Sequence, residues 1–199
     1  MLANPRPDLG LMLQPGMGNA TAPLAFWSWA ADNGCFAQGD AFVPGDWLEW
    51  LAGLRRYRER CLFAVAPDVV MDAEATLARS RPYLPVIRHL GFKAAFVTQN
   101  GCTSELVPWD ELDVLFVGGD DAWKLSEGSW QLCGEARERG KRVHVGRVNS
   151  FRRLKACAIS GVDSADGTYL RFGPDVNWPT LMGWLDRINR DERPMELLA

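Results

Sequence analysis

Val114-Leu115-Phe116-Val117-Gly118-Gly119-Asp120-Asp121 is four apolar residues followed at once by two glycines and two carboxylates. A strand buried on both faces reads as a continuous apolar run, and such strands belong to parallel sheets. The same grammar recurs along the chain. Phe26 to Gly34 (FWSWAADNG) ends on Asp32 and Asn33, and Leu62 to Asp68 (LFAVAPD) ends on Asp68. Ala94 to Gly101 (AAFVTQNG) ends on Gln99 and Asn100. Val143 to Ser150 (VHVGRVNS) ends on Asn149 and Ser150, and Gly161 to Gly167 (GVDSADG) carries Asp163 and Asp166. Ligand chemistry in a closed α/β barrel sits where strands end, so these polar ends predict one active-site rim.

Between the runs the pattern changes to helical spacing. Trp47, Trp50, Leu51 and Leu54 predict a helix over 46–60, and Asp72 to Ser80 begins another that Pro82 and Pro85 interrupt before it resumes through His89. Ser126 to Arg139, with Gly140 behind it, and Phe151 to Ser160, between Ser150 and Gly161, carry helix stop and start signals. A last helix is expected over Pro179 to Asn189, then a short tail from Arg190 to Ala199. The first 25 residues are rich in Pro, Gly and Asn and read as an irregular segment with one short strand, Leu9 to Leu13. Strand–helix alternation predicts an α/β fold, either a barrel or an open doubly wound sheet. No glycine-rich nucleotide fingerprint follows any strand, and the polar residues are spread over many strand ends. Both facts favour a compact TIM-like (β/α) barrel. At 199 residues, against the ~250 typical of eight full units, some helices must be abbreviated.

One domain is the natural expectation for this length. The net charge of −3 argues against sequence-independent coating of nucleic acid. Locally, Arg137, Arg139, Lys141, Arg142, Arg147, Arg152, Arg153 and Lys155 cluster against Glu138 alone, and read either as a phosphate contact or as solvated helix faces. No apolar run reaches the ~20 residues of a membrane span and no leader pattern opens the chain, so a cytoplasmic protein is expected. The five cysteines form no paired metal-ligand spacing, no metal cluster stands out, and Cys35 and Cys102 lie beside the candidate rim. His89 and His144 fall in no triad pattern and read as core or surface residues.

The order of these motifs resembles the tRNA-guanine transglycosylase superfamily, including relatives that insert 7-deazaguanines into DNA. Asp32-Asn33-Gly34-Cys35-Phe36 stands where the family has DSGGFQ, and Asp68 where a base-binding aspartate ends a strand. Val97-Thr98-Gln99-Asn100-Gly101 is similar to VQGG, Val117 to Lys124 to IGGLAVGE, and Gly161 to Gly167 to GIDMFDC. Asn33 and Cys35 replace serine and glycine, Lys124 replaces glutamate, and the family's C-terminal cysteine and histidine zinc ligands have no counterpart. Neither does its arginine-rich segment. These departures fit the shorter DNA-modifying relatives, encoded by phages or bacteria, better than the tRNA enzymes; a phage-encoded chain would work in the host cytoplasm.

The resemblance implies exchange of guanine in nucleic acid, DNA favoured over tRNA, for a 7-deazaguanine base such as preQ0. It implies Asp166 as the nucleophile that forms a covalent sugar intermediate and Asp32 as acid/base, with Asp163 a rival nucleophile. Residues three apart on a strand face opposite sides, so only one of Asp163 and Asp166 is expected to point into the barrel. Asp68 would accept from the guanine N–H edge, Gln99 would donate to its oxygen, and Asn33, Gly118 and Gly119 would complete the base site. Trp123 is a stacking candidate, with Phe36 and Tyr169 beside it, and Lys124 a phosphate contact. Arg142, Arg147, Arg152 and Arg153 would hold the backbone. No cofactor is implied, and a homo- or hetero-oligomer is compatible. Two other readings stay open: a non-catalytic subunit that binds base or nucleic acid, and an unrelated barrel glycosidase or lyase.

Overall fold

The computed structural model describes residues 6–16, 22–191 and 196–198. Eight parallel strands close into a barrel in sequence order. They are β1 (Leu9–Leu13), β2 (Ser28–Ala31), β3 (Cys61–Val65), β4 (Ala94–Thr98), β5 (Val114–Val117), β6 (Arg142–Val145), β7 (Ser164–Asp166) and β8 (Glu196–Leu198). The apolar runs quoted above became β2 to β7. The last strand corrects the expected C-terminal tail: 196–198 pair with both β7 and β1 and close the ring. Three residues are too few to carry a period, so nothing in the local sequence separates this strand from a tail.

The helices are α1 (Cys35–Gln38), α2 (Pro44–Gly53), α3 (Ala73–Ser80), α4 (Leu84–His89), α5 (Asp121–Lys124), α6 (Glu127–Glu138), α7 (Phe151–Ile159) and α8 (Pro174–Asp191). The barrel is abbreviated where the length required it. Between β4 and β5 stands only a 3-10 turn, Ser104–Leu106, in place of a full helix. The helix expected over 46–60 stops at Gly53 and tightens into a 3-10 segment, Arg55–Arg60. The last helix starts at Pro174 and carries Pro179 inside it. Capping residues set the starts: the side chains of Asp72, Asp120, Ser126 and Ser150 each accept a backbone N–H from the first turn of their helix.

Two apolar clusters show which way each strand residue faces. Ala30, Phe63, Val65, Ala95, Val97 and Val114 meet inside the barrel. Trp29, Ala31, Ala64, Phe96, Leu115, Val117, Val143, Val145 and Ala165 join the larger core between sheet and helices. The period-two alternation of a strand extends this assignment to the polar residues at its end. It turns Asp32 inward after Ala30 and Gln99 inward after Val97. On β6 and β7 it turns His144, Ser164 and Asp166 inward, opposite to Val143, Val145 and Ala165.

Candidate functional site

Asp68 occupies the middle of the rim. It is buried, and both of its carboxylate oxygens are held: Asn33 Nδ2 donates to Oδ1 at 2.8 Å and Gln99 Nε2 donates to Oδ2 at 2.5 Å. Asn33 is used completely, since its amide also donates to the Ala66 carbonyl and its oxygen accepts the Cys35 N–H. Gln99 accepts the Met71 N–H on its own oxygen and so fixes the loop after β3. Asn33 and Gln99 are therefore the cage of Asp68. Burial still pushes the Asp68 carboxyl above its ordinary range, with the two amides pulling it back.

Asp32 follows β2 and is half-buried. Its pKa is raised to about 7, first by burial and then by the negative charges of Asp166 and Asp68, against the opposing pull of the Asn33 and Gly34 N–H groups. Asp166 closes β7. Its Oδ1 accepts the Arg147 N–H at 3.1 Å and its Oδ2 lies 3.1 Å from His144 Nε2. The rim thus joins a carboxyl that holds its proton near neutral pH to a carboxylate supplied with donors.

Asp163 stands apart from this group. It precedes β7, and its carboxylate accepts the Val143 N–H at 2.8 Å near the start of β6. Asp166 leaves the same strand at the opposite end, at the rim. One of the two carboxylates points into the barrel, as the spacing required, and it is Asp166.

The glycine pair has a packing reason. A Cβ on Gly118 would lie 2.6 Å from Val97 Cγ1 and 3.3 Å from Gln99 Nε2. Gly119 has φ +74°, and a Cβ there would lie 2.6 Å from Trp123 Cδ1. Trp123 itself is half-buried against the outer core, with its Nε1 buried and without a hydrogen-bond partner. Its ring covers Gly119, which gives it a packing role where a stacking role was expected. Lys124 is buried too, its Nζ 3.3 Å from the Gly146 carbonyl and 3.6 Å from Asp121, and burial lowers its pKa. It holds the loops after β5 and β6 together, and an exposed phosphate contact is not its position.

The basic cluster divides. Arg142 begins β6, at the end of the barrel away from the rim. Arg147 follows β6 and is exposed, and its guanidinium stacks 3.6 Å over the exposed ring of Phe36. Arg152 is exposed on the first turn of α7, and Arg153 beside it pairs with Asp121 at 2.9 Å. The thiols of Cys35 and Cys102 are buried and pushed up to about 12 by that burial, so neither is a ready nucleophile. Among the described residues no group of three or more His, Cys, Asp or Glu is arranged to hold a metal ion. A surface cleft of about 500 Å³ on α3, lined by Glu74, Leu77, Arg81 and Leu106 among others, shares no residue with the rim.

Sequence reasoning missed His144 and Ser164. Both interrupt inward-facing apolar positions on adjacent strands, and β6–β7 register sets them opposite each other. The signal was a polar residue alternating with Val143 and Val145, legible only once β7 was known as the neighbour.

The fold and rim define a parallel (β/α) barrel with carboxylates gathered at the strand ends. No family model matches this sequence, and no curated protein matches it. Among solved structures the chain is similar to the Bacillus subtilis YkuI protein, with an EAL domain, in complex with substrate c-di-GMP and calcium. Identity is 13% and the TM-score 0.43, over 83% of this chain and 45% of that one. A likeness of that size fixes neither ligand nor chemistry. Among the described residues no helix is long and apolar enough to cross a membrane.

Proposed function

We propose that this barrel is a base-exchange transglycosylase that replaces guanine in nucleic acid, DNA before tRNA, with a 7-deazaguanine base such as preQ0. The observation that supports it most is the meeting of Asp32, Asp68 and Asp166 at one rim, with Asp32 raised to about 7 first by burial and then by the charges of the other two. Retaining transfer at a sugar carbon needs two carboxylates with different duties. Asp166 attacks C1′ and forms a sugar–enzyme ester while the bond from C1′ to the guanine breaks. The Asp32 proton passes to the departing guanine. The incoming base then returns a proton to Asp32 as its glycosidic nitrogen attacks C1′, and the Asp166 ester opens. Atoms and charge balance, and both carboxyls end as they began.

Asp68 suits the recognition of the base. An ionised carboxylate offers about four acceptor sites; the amides of Asn33 and Gln99 take one on each oxygen, and the Cys35 thiol and the Asp68 N–H also lie against it. The adjacent N–H groups of a guanine edge would compete with those weaker contacts. Gln99 keeps one amide hydrogen for the base oxygen, whereas Asn33 has none left and serves as support. Arg147 and Arg152, both exposed, suit contact with phosphates, and a duplex would present its nucleotide flipped out.

The test is release of labelled guanine from duplex DNA and, in parallel, from tRNA, each with excess preQ0. Release abolished by Asp166→Asn and by Asp32→Asn is the expected result. A second reading, a subunit that binds base without chemistry, takes its support from the cage that already satisfies part of Asp68. It predicts bound base with no release from either nucleic acid.

A further inference from the structure

His144 is fully buried in the barrel interior. Its ring lies against two others, with centroids 4.5 Å from Phe116 and 4.8 Å from Phe63. A leucine would suit those neighbours without the cost of taking a polar ring out of water. The register of β6 on β7 sets Ser164 directly across, and Asp166 two residues further along the same inward face. Both imidazole nitrogens are engaged, Nδ1 with Ser164 Oγ at 2.8 Å and Nε2 with Asp166 Oδ2 at 3.1 Å.

The chemistry fixes the direction of this chain. An ionised carboxylate only accepts, so Nε2 carries the hydrogen shared with Asp166. In the neutral ring Nδ1 is then bare and accepts the Ser164 hydroxyl. The other Asp166 oxygen takes the Arg147 N–H. Two donors from two directions leave the carboxylate no free rotation.

We infer that His144, set by Ser164, is a positioning residue that holds the Asp166 carboxylate in its attacking orientation at the barrel mouth. The inference rests on Asp166 being the nucleophile of the transglycosylation above. His144 touches no substrate, and it acts through Asp166 alone. The arrangement is not one that space-filling alone would produce, because it satisfies a buried ring at both nitrogens and ends on the one rim carboxylate that faces inward from β7.

Two readouts test it. The chain has two histidines and His89 is exposed, so nitrogen NMR of the imidazoles in a His89→Gln background reports His144 alone. The expected spectrum shows a hydrogen on Nε2 that exchanges slowly with solvent and shifts in Asp166→Asn. A bare Nε2 with the hydrogen on Nδ1, or a spectrum indifferent to Asp166→Asn, overturns the inference, and this readout needs no substrate. The kinetic arm follows formation of the covalent sugar adduct in a single turnover. His144→Leu is expected to slow it ~10²-fold with base affinity unchanged, the scale of a nucleophile held slightly out of place. His144→Gln, whose amide nitrogen reaches the Nε2 position, restores most of the rate, and His144→Asn, which reaches only the Nδ1 position, does not. A folded His144→Leu protein with wild-type adduct formation overturns the inference. Adduct formation that survives Asp166→Asn overturns instead Asp166 as the nucleophile of that reading, and the tautomer result separates the two failures.

Discussion

The Arg147 guanidinium lies 3.6 Å over the ring of Phe36, joining the loop after β6 to the helix after β2. In a ring of eight strands these are opposite walls, so the pair bridges the mouth of the barrel. Arg147 does this from an unfavourable backbone, with φ +61°. Its N–H holds Asp166 from the same residue, which ties the bridge to the carboxylate beneath it. A side chain in the left-handed region costs roughly 1–2 kcal/mol, and a stacked cation at an exposed ring returns about 0.5–1 kcal/mol. Arg147→Gly is therefore expected to be more stable than Arg147→Ala by about 1 kcal/mol in urea unfolding. Equal stability of the two variants contradicts a strained bridge.

Asp68 is the most dependent group at the rim. Gln99→Leu removes the donor on Oδ2 and the acceptor of the Met71 N–H together. Losing a buried hydrogen bond to a charged group costs about 1.5–3 kcal/mol, so a fall of that size in unfolding free energy is expected. Gln99→Glu, which sets a second carboxyl against Asp68, is expected to fall further at pH 8 than at pH 5. A Gln99→Leu protein of unchanged stability refutes the cage.

The proton on Asp32 has a stability signature. Its pKa of about 7 lies above its ordinary value, so between pH 4 and 7 the folded protein binds more protons than the unfolded chain. Stability from this group is full in acid, is lost as pH rises through about 7, and changes little beyond. Asp32→Asn removes the loss. It is expected to be more stable than the parent by roughly 1–3 kcal/mol at pH 8, solvent at the half-buried site screening part of the effect, and no more stable at pH 4. A difference that does not vary across this range contradicts the raised pKa.

Much of this was legible in the residues. The apolar runs ending in Asp32, Asp68, Gln99 and Gly118 announced buried parallel strands and a polar rim, because burial on both faces leaves no other pattern. Period two chose one of Asp163 and Asp166 to face inward without naming which. Three things were hidden. The strand at Glu196–Leu198 is too short to show a period. The division of the basic cluster depends in part on Arg153 reaching Asp121 from a different loop, a contact that the spacing of the arginines does not show. The burial of Trp123 and Lys124 depends on α5 folding back over Gly119 and Gly146, a tertiary event that loop composition does not signal.

Asp163 and Asp166 offer a clean comparison. Asp163→Ala removes the acceptor of the Val143 N–H and is expected to cost about 1 kcal/mol of stability while sparing any sugar chemistry. Asp166→Asn keeps its shape and is expected to abolish that chemistry with little change in melting. Thermal unfolding beside guanine release distinguishes the two, and the reverse pattern refutes the assignment of the inward carboxylate.

The most direct test of the central claim is to incubate the protein with guanine-containing DNA and no incoming base, denature it, and map any covalent nucleic-acid adduct by mass spectrometry. The account predicts a sugar ester on the peptide that carries Asp166, reversed when preQ0 is added before denaturation. An adduct on Asp32 or Asp163, or guanine release with no adduct at all, would contradict it.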